Sequence, residues 1–498
     1  MFVADCFDVN EKGHLTIGGC DTVGLAKEYG TPLYVMDEMT IRQACRLYQK
    51  SFQENYDGHG MAFYASKALN CKELCRIVAE EGLGLDVVSG GELYTALKAG
   101  FDPEKIHFHG NNKTQDELNM ALDNGVGVIV MDNLDEMKRL DQLAAEKGVT
   151  AQVSMRIKPG IDAHTHSFIR TGQIDSKFGF ALETGEALEA AKAAIASKNL
   201  NLKEIHCHIG SQIFDIDPFV LAAEVMMGFR KQIKDVTGVT VECMNLGGGF
   251  GIKYTDRDHP QPYNAYMSTV AKAVKAKAKE YDMPVPFICL EPGRSIVGES
   301  GITLYTVGSV KVIPKIRTYV SIDGGMTDNP RYALYKSSYL AVIADKAGQP
   351  AVEKVTIAGK CCESGDLIQE DAMIQEAAPG DTLAVFSTGA YNYSMSSNYN
   401  RIPKPPIVMV KAGSSRVIVK RGNLRRFNQK RRVNAAGGFV FLLAFILYVT
   451  ESTEKNARRR LLKKQLMLRQ RLKTIKRSLW KKFHRLLLIV FRKRYSLC

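Results

Sequence analysis

The chain has 498 residues, enough for two or three domains and a large core, and its 45% apolar and 24% charged content is that of a globular protein. The net charge of +14 is unevenly spread: residues 421–498 hold 23 Lys and Arg against two Asp and Glu, whereas residues 1–420 hold 44 against 51. The basic balance therefore belongs to the tail, and a basic nucleic-acid-binding body is excluded.

The 11 cysteines, an odd and scattered set, argue against a disulfide framework and for a reducing compartment. Cys71 with Cys75, and adjacent Cys361 and Cys362, lack the paired spacing of a zinc site, and no metal site is expected. The N-terminal stretch from Met1 has no basic segment followed by an apolar core, so no secretory signal is expected and a cytoplasmic location is.

Residues 1–30 are expected to join a β domain formed by the later chain. From 31 to 280, short apolar runs alternate with amphipathic segments. The runs include Gly60–Tyr64, Leu83–Val88, Lys105–His109, Val126–Met131, Ala151–Ile157, Lys203–His208 and Val241–Leu246. Between them, Cys71–Glu81, Glu92–Ala99, Asp132–Lys147, Thr184–Ala196 and Pro218–Lys234 carry helical periodicity. Such alternation predicts parallel strands in a (β/α)8 TIM-type barrel, whose active site lies at the strands' C-terminal ends. Lys67, Asp86, His109, His208 and Gly247–Gly249 all close or follow an apolar run. From 281 to 421 the texture turns β-branched and turn-punctuated, which predicts a β-sandwich or barrel domain. Its strands include Ile302–Ile313, Thr318–Ile322, Glu353–Ile357, Thr382–Ser387 and Ile407–Val410.

Two motifs carry the chemistry. A glycine run, Gly247, Gly248 and Gly249, follows a short apolar strand and lets backbone N–H groups approach a phosphate. Forty-two residues later, Glu291-Pro292-Gly293-Arg294 places a carboxylate and a guanidinium three residues apart after the apolar run Phe287–Leu290. Glu291 suits a protonated ring nitrogen and Arg294 an anionic oxygen. Phosphate plus protonated heteroaromatic nitrogen describes pyridoxal 5′-phosphate, which requires a Schiff-base lysine. Lys67, in Tyr-Ala-Ser-Lys-Ala, is the candidate.

Lys67 in that context, His206-Cys207-His208-Ile209-Gly210-Ser211, the triple glycine, Glu291–Arg294 and Cys362-Glu363-Ser364-Gly365-Asp366 together resemble diaminopimelate decarboxylase, a fold-type III pyridoxal-phosphate decarboxylase. Each motif is weak alone; five in order are specific, and they cover roughly residues 1–421. The resemblance implies decarboxylation of meso-2,6-diaminopimelate to L-lysine and CO2, the last step of lysine biosynthesis. In it Lys67 would bind the cofactor, His208 stack on its ring, Ser211 and Tyr391 reach its phosphate, and Glu291 hold its ring nitrogen. Gly293 and Asp86 would also belong to the cofactor pocket, Asp86 having the alternative of capping the helix after Ser89. Chemistry alone leaves Cys361 and Cys362 equivalent; the resemblance selects Cys362 as proton donor, contributed across a homodimer interface.

Substrate choice within the resemblance rests on Arg294, Arg331 and Tyr335, similar to residues that bind a distal carboxylate, with Tyr391 also near substrate and Glu363 pairing with the distal ammonium. Arg331 has the alternative of capping a loop. Rival readings are a decarboxylase of ornithine, arginine or lysine, which a second arginine would repel, and a catalytically inactive regulatory homologue. Alanine racemase shares the architecture but does not suit Cys362–Asp366.

Residues 422–498 depart from the resemblance. Eighteen uncharged residues, Val433 to Thr450, sit between basic clusters. Three readings are ranked in order: a shifted reading frame, a membrane-contacting module, and a nucleic-acid-binding tail.

Overall fold

The computed structural model describes residues 2–161 and 175–424. The 425–498 region, with its 433–450 apolar stretch, lies outside the described residues, as does 162–174. Among the described residues no helix is long and apolar enough to cross a membrane.

Eight parallel strands close on themselves: β1 (Gly60–Ala65), β2 (Gly84–Val87), β3 (Ile106–Phe108), β4 (Val128–Met131), β5 (Ala151–Lys158), β6 (Leu200–Cys207), β7 (Cys243–Asn245) and β8 (Phe287–Leu290). β8 pairs with β1 and completes the ring. Strands such as β2 and β4 are buried at every residue, because helices cover the outside and side chains fill the inside. Local chemistry sets the helix limits. Ser89 caps Gly90–Ala99 through the Glu92 N–H, Thr114 and Glu117 form a capping box at Gln115–Asp123, and Asn133 caps Leu134–Lys147. Helix Glu38–Tyr56 comes before β1 and packs its Ile41, Tyr48 and Phe52 into the barrel's apolar layer.

The β domain is organised by one long strand, Gly301–Ile313. Its first half pairs with Leu33–Asp37 and Thr382–Val385, and its second half with Arg317–Ile322. Leu33–Asp37 continues the sheet to Ile407–Lys411. The N-terminal meander packs here, with Phe7, Leu15 and Ile17 buried against Ile302, Leu304 and Phe386. Two elements fall on the other side of the expected boundaries. β8 lies beyond residue 280, because its four residues are too short to separate by pattern from the β-rich texture that follows. Leu33–Asp37, inside the expected barrel range, pairs in the β sheet.

Candidate active site

A cavity of about 440 Å³ opens at the C-terminal ends of the barrel strands. Its wall includes Lys67, Asp86, His208, Ser211, Gly249, Glu291, Gly293, Arg294, Arg331, Tyr335 and Tyr391, all singled out in the sequence. Gly247 and Gly248 stand just behind it. Cys362 and Glu363 are exposed in the turn between Glu353–Ala358 and Leu367–Ile374, outside this wall.

Lys67 sits in a single helical turn, Ser66–Ala68, immediately after β1. Glu92 braces that turn by accepting from Ser66 Oγ at 3.0 Å and from the Val88 N–H at 2.8 Å. The β domain reaches the same turn: the Tyr391 N–H donates to Ala68 O at 2.8 Å. Tyr391 takes a left-handed backbone (φ 66°), an uncommon state for an aromatic residue that this contact helps hold.

The glycine loop owes its composition to crowding. A Cβ at Gly247 would lie 2.5 Å from Cys207 O, and one at Gly248 would lie 2.1 Å from Glu291 O. The Gly248 N–H donates to His208 Nδ1 at 3.3 Å, and the Gly247 N–H to Asn245 Oδ1 at 2.9 Å. His208 therefore accepts at Nδ1. Burial, with the Lys67 and Arg156 charges adding, holds its pKa well below the ordinary histidine value and keeps the ring neutral.

Glu291 directly follows β8, buried and surrounded by donors. His109 Nε2 lies 2.8 Å from Oε1, His206 Nε2 lies 3.2 Å from Oε2, and Asn245 Nδ2 donates to Oε1 at 2.7 Å. Burial pushes its pKa up, but the two imidazoles outweigh this and hold it well below the carboxylate range. Burial lowers His109 to about 4, so a neutral ring faces an anion. Asp86 is driven the opposite way, well above its ordinary value, by burial and then by the Glu291 charge, with Lys67 opposing. The two carboxyl groups of one cavity are thus pushed in opposite directions. The cap after Ser89 is Ser89 itself, so Asp86 is not the helix cap.

Arg294 donates from Nη2 to Ser211 Oγ at 2.8 Å and from Nη1 to the Tyr254 hydroxyl; no ion pair joins it to Glu291 among the described residues. Its guanidinium lies 4.8 Å from the Tyr391 ring centre. Arg331 begins the short helix Arg331–Tyr335, with its guanidinium 5.0 Å from the Tyr335 ring centre and 5.5 Å from that of Tyr391. Asp86 Oδ1, Arg294 Nε and Arg331 Nε are buried without a hydrogen-bond partner.

Sequence reasoning missed Arg156, which lines the cavity 4.1 Å from the Phe178 ring centre, and Tyr254 and Asn245, which act through neighbours. A strand-end position marks Arg156; only the fold brings Tyr254 to Arg294.

Residues 38–298 match the family model described as pyridoxal-dependent decarboxylase, pyridoxal binding domain. The chain is 51% identical over 425 residues to diaminopimelate decarboxylase of Bacillus methanolicus, covering 85% of this chain and 98% of that one. It is 49% identical to the Bacillus subtilis enzyme, at 84% and 96% coverage. The crystal structure of the M. jannaschii diaminopimelate decarboxylase in complex with L-lysine superposes with a TM-score of 0.80 at 34% identity, covering 88% of this chain and all of that one. With four of the five motifs gathered at one barrel mouth and relatives matched over nearly their whole length, the chain belongs to the diaminopimelate decarboxylase family of pyridoxal-dependent decarboxylases.

Proposed function

We propose that the chain decarboxylates meso-2,6-diaminopimelate to L-lysine and CO2, with pyridoxal 5′-phosphate as cofactor. The observation that carries this reading is the pair of buried guanidinium groups, Arg294 and Arg331, in the cavity that also holds Lys67. A substrate with a second carboxylate supplies the anion such a pair calls for. Ornithine, arginine and lysine lack it and would bring a cation instead.

The residues suit the cofactor. Gly249 and Ser211 on the cavity wall, with Gly247 and Gly248 packed behind them, would seat its phosphate, and ionised Glu291 suits a protonated ring nitrogen. When bound, the cofactor supplies an electron sink for the carbanion left by loss of CO2. Lys67 carries the amine that holds it and later releases product. His208 offers a neutral, flat face toward the cavity, and the braced Ser66–Ala68 turn fixes where the Lys67 amine projects. Cys362 and Glu363 stand exposed outside this cavity, which supports a homodimer in which a second copy lends Cys362 to protonate Cα and Glu363 to meet the distal ammonium.

The test is lysine formation by purified protein with added pyridoxal 5′-phosphate, offering meso-diaminopimelate, ornithine and arginine in parallel. Lysine from diaminopimelate alone is expected. Turnover of ornithine or arginine instead would overturn the role of the arginine pair.

A further inference from the structure

TIM-barrel interiors are usually filled by branched apolar side chains, yet this one is polar beneath the site. The alternation along β6 that turns His206 into the barrel also turns Glu204 inward, one layer deeper. Glu204 is 1% exposed, and no cation pairs with it among the described residues save a His107 ring nitrogen at 3.9 Å. One amide links it to the catalytic carboxylate. Asn245 Nδ2 donates to Glu291 Oε1 at 2.7 Å and to Glu204 Oε1 at 3.4 Å. The Asn245 orientation is fixed, since its Oδ1 accepts from the Gly247 N–H.

We propose that Glu204 is a positioning residue for Glu291: it keeps the one proton that these two buried carboxyls share, so that Glu291 stays the anion at the cavity, and Asn245 ties the pair to the glycine loop. Two carboxylates joined through a single NH2 in a dry interior resist ionising together, so the second gives up its proton only at higher pH. The donors decide which one that is. Glu291 has His109 and His206 within 3.2 Å, whereas Glu204 has the shared amide at 3.4 Å and only the weaker hydroxyl and thiol donors of Ser154 and Cys289. An acceptor suited to a protonated Glu204 is at hand, because His107 Nδ1 is buried without a hydrogen-bond partner. The titratable groups facing Glu204 are His107 of β3, Cys243 of β7, Cys289 of β8, and Glu291 just after β8. Burial lowers His107 to about 3 and raises Cys243 to about 12, so neither carries charge near neutrality. Burial and then the Glu291 charge raise Glu204 to about 7. The proton is therefore released close to working pH, and its loss draws the Asn245 amide away from Glu291.

The inference rests on Glu291 being the cofactor's partner, but its test needs no substrate, so a failed lysine assay would leave it standing. Infrared spectra of the full chain are compared about one pH unit either side of 7, for the parent and for Glu204→Gln. The parent is expected to lose a protonated-carboxyl band as pH rises, and Glu204→Gln to lack that band. Asp328, which burial also raises to about 7, contributes equally to both proteins and cancels in the difference. The bound cofactor's absorbance against pH is expected to lose a step near 7 in Glu204→Gln, a change that a packing role would not produce. Identical infrared titrations for the two proteins would overturn the proposal. Should Glu204→Gln fail to fold, Glu204→Met removes the same band with an apolar side chain of similar length.

Discussion

Two charged clusters in this molecule invite comparison. At the seam between barrel and β domain, Glu38 meets Arg42 at 2.8 Å, Lys411 at 3.0 Å and Arg416 at 2.6 Å. Arg42 goes on to Glu80 and Glu81, and Arg416 to Glu73. No carboxylate in that cluster is left without a partner. At the barrel mouth, Asp86, Arg294 and Arg331 each keep a buried polar atom unpartnered. The seam spends its charges on itself and fastens two parts of the chain. The mouth leaves buried polar atoms unpartnered at a cost to stability, a pattern common at ligand sites.

Substitutions should separate the two clusters. The largest effect is expected from Lys67→Ala, which eliminates lysine formation and the visible absorbance of the bound cofactor while leaving the melting temperature of the cofactor-free protein unchanged. Retained absorbance would contradict the assignment. Next, Arg331→Ala should lower kcat/KM for meso-diaminopimelate about 10- to 100-fold through KM, the value of a charge-assisted hydrogen bond, with cofactor affinity unaltered. A matching loss of cofactor binding would place Arg331 elsewhere in the site.

The smallest effect on catalysis, and a clear one on stability, is expected at the seam. Glu38→Ala should leave kcat unchanged and destabilise by about 1–2 kcal/mol, because Lys411 loses its carboxylate while Arg42 and Arg416 keep only Glu80, Glu81 and Glu73. Burial works against ionised Glu38, but Arg416, Lys411 and Arg42 prevail and bring its pKa down to about 2. This folded-state value lies below the unfolded one, so the stabilisation is complete above about pH 4.5 and disappears as pH falls toward 2. Acid titration of stability in parent and Glu38→Ala should therefore converge at low pH.

Much of this was legible in the sequence because TIM-barrel chemistry sits where apolar runs end. Lys67, Asp86, His208 and Glu291 could be ordered around a common mouth before any coordinates. What escaped were relations across the barrel. Asn245 reads as part of an apolar strand until β7 is set beside β8, and Tyr254 as a loop residue until Arg294 reaches it. Glu38, a helix-start carboxylate by pattern, meets Lys411 and Arg416 from more than 370 positions away. Periodicity reports which face a residue takes, not which distant strand that face meets.

The close approach at Gly248 has one more consequence. Its Cα hydrogens occupy the space against the Glu291 carbonyl, and the Glu291 N–H donates back to Gly247 O at 2.8 Å. The glycine loop and Glu291 are thus welded back to back through main chain, like the fixed jaws of a gauge. Neither jaw can be re-cut alone. An engineer seeking to admit a longer or shorter cofactor would have to move β7 and β8 together.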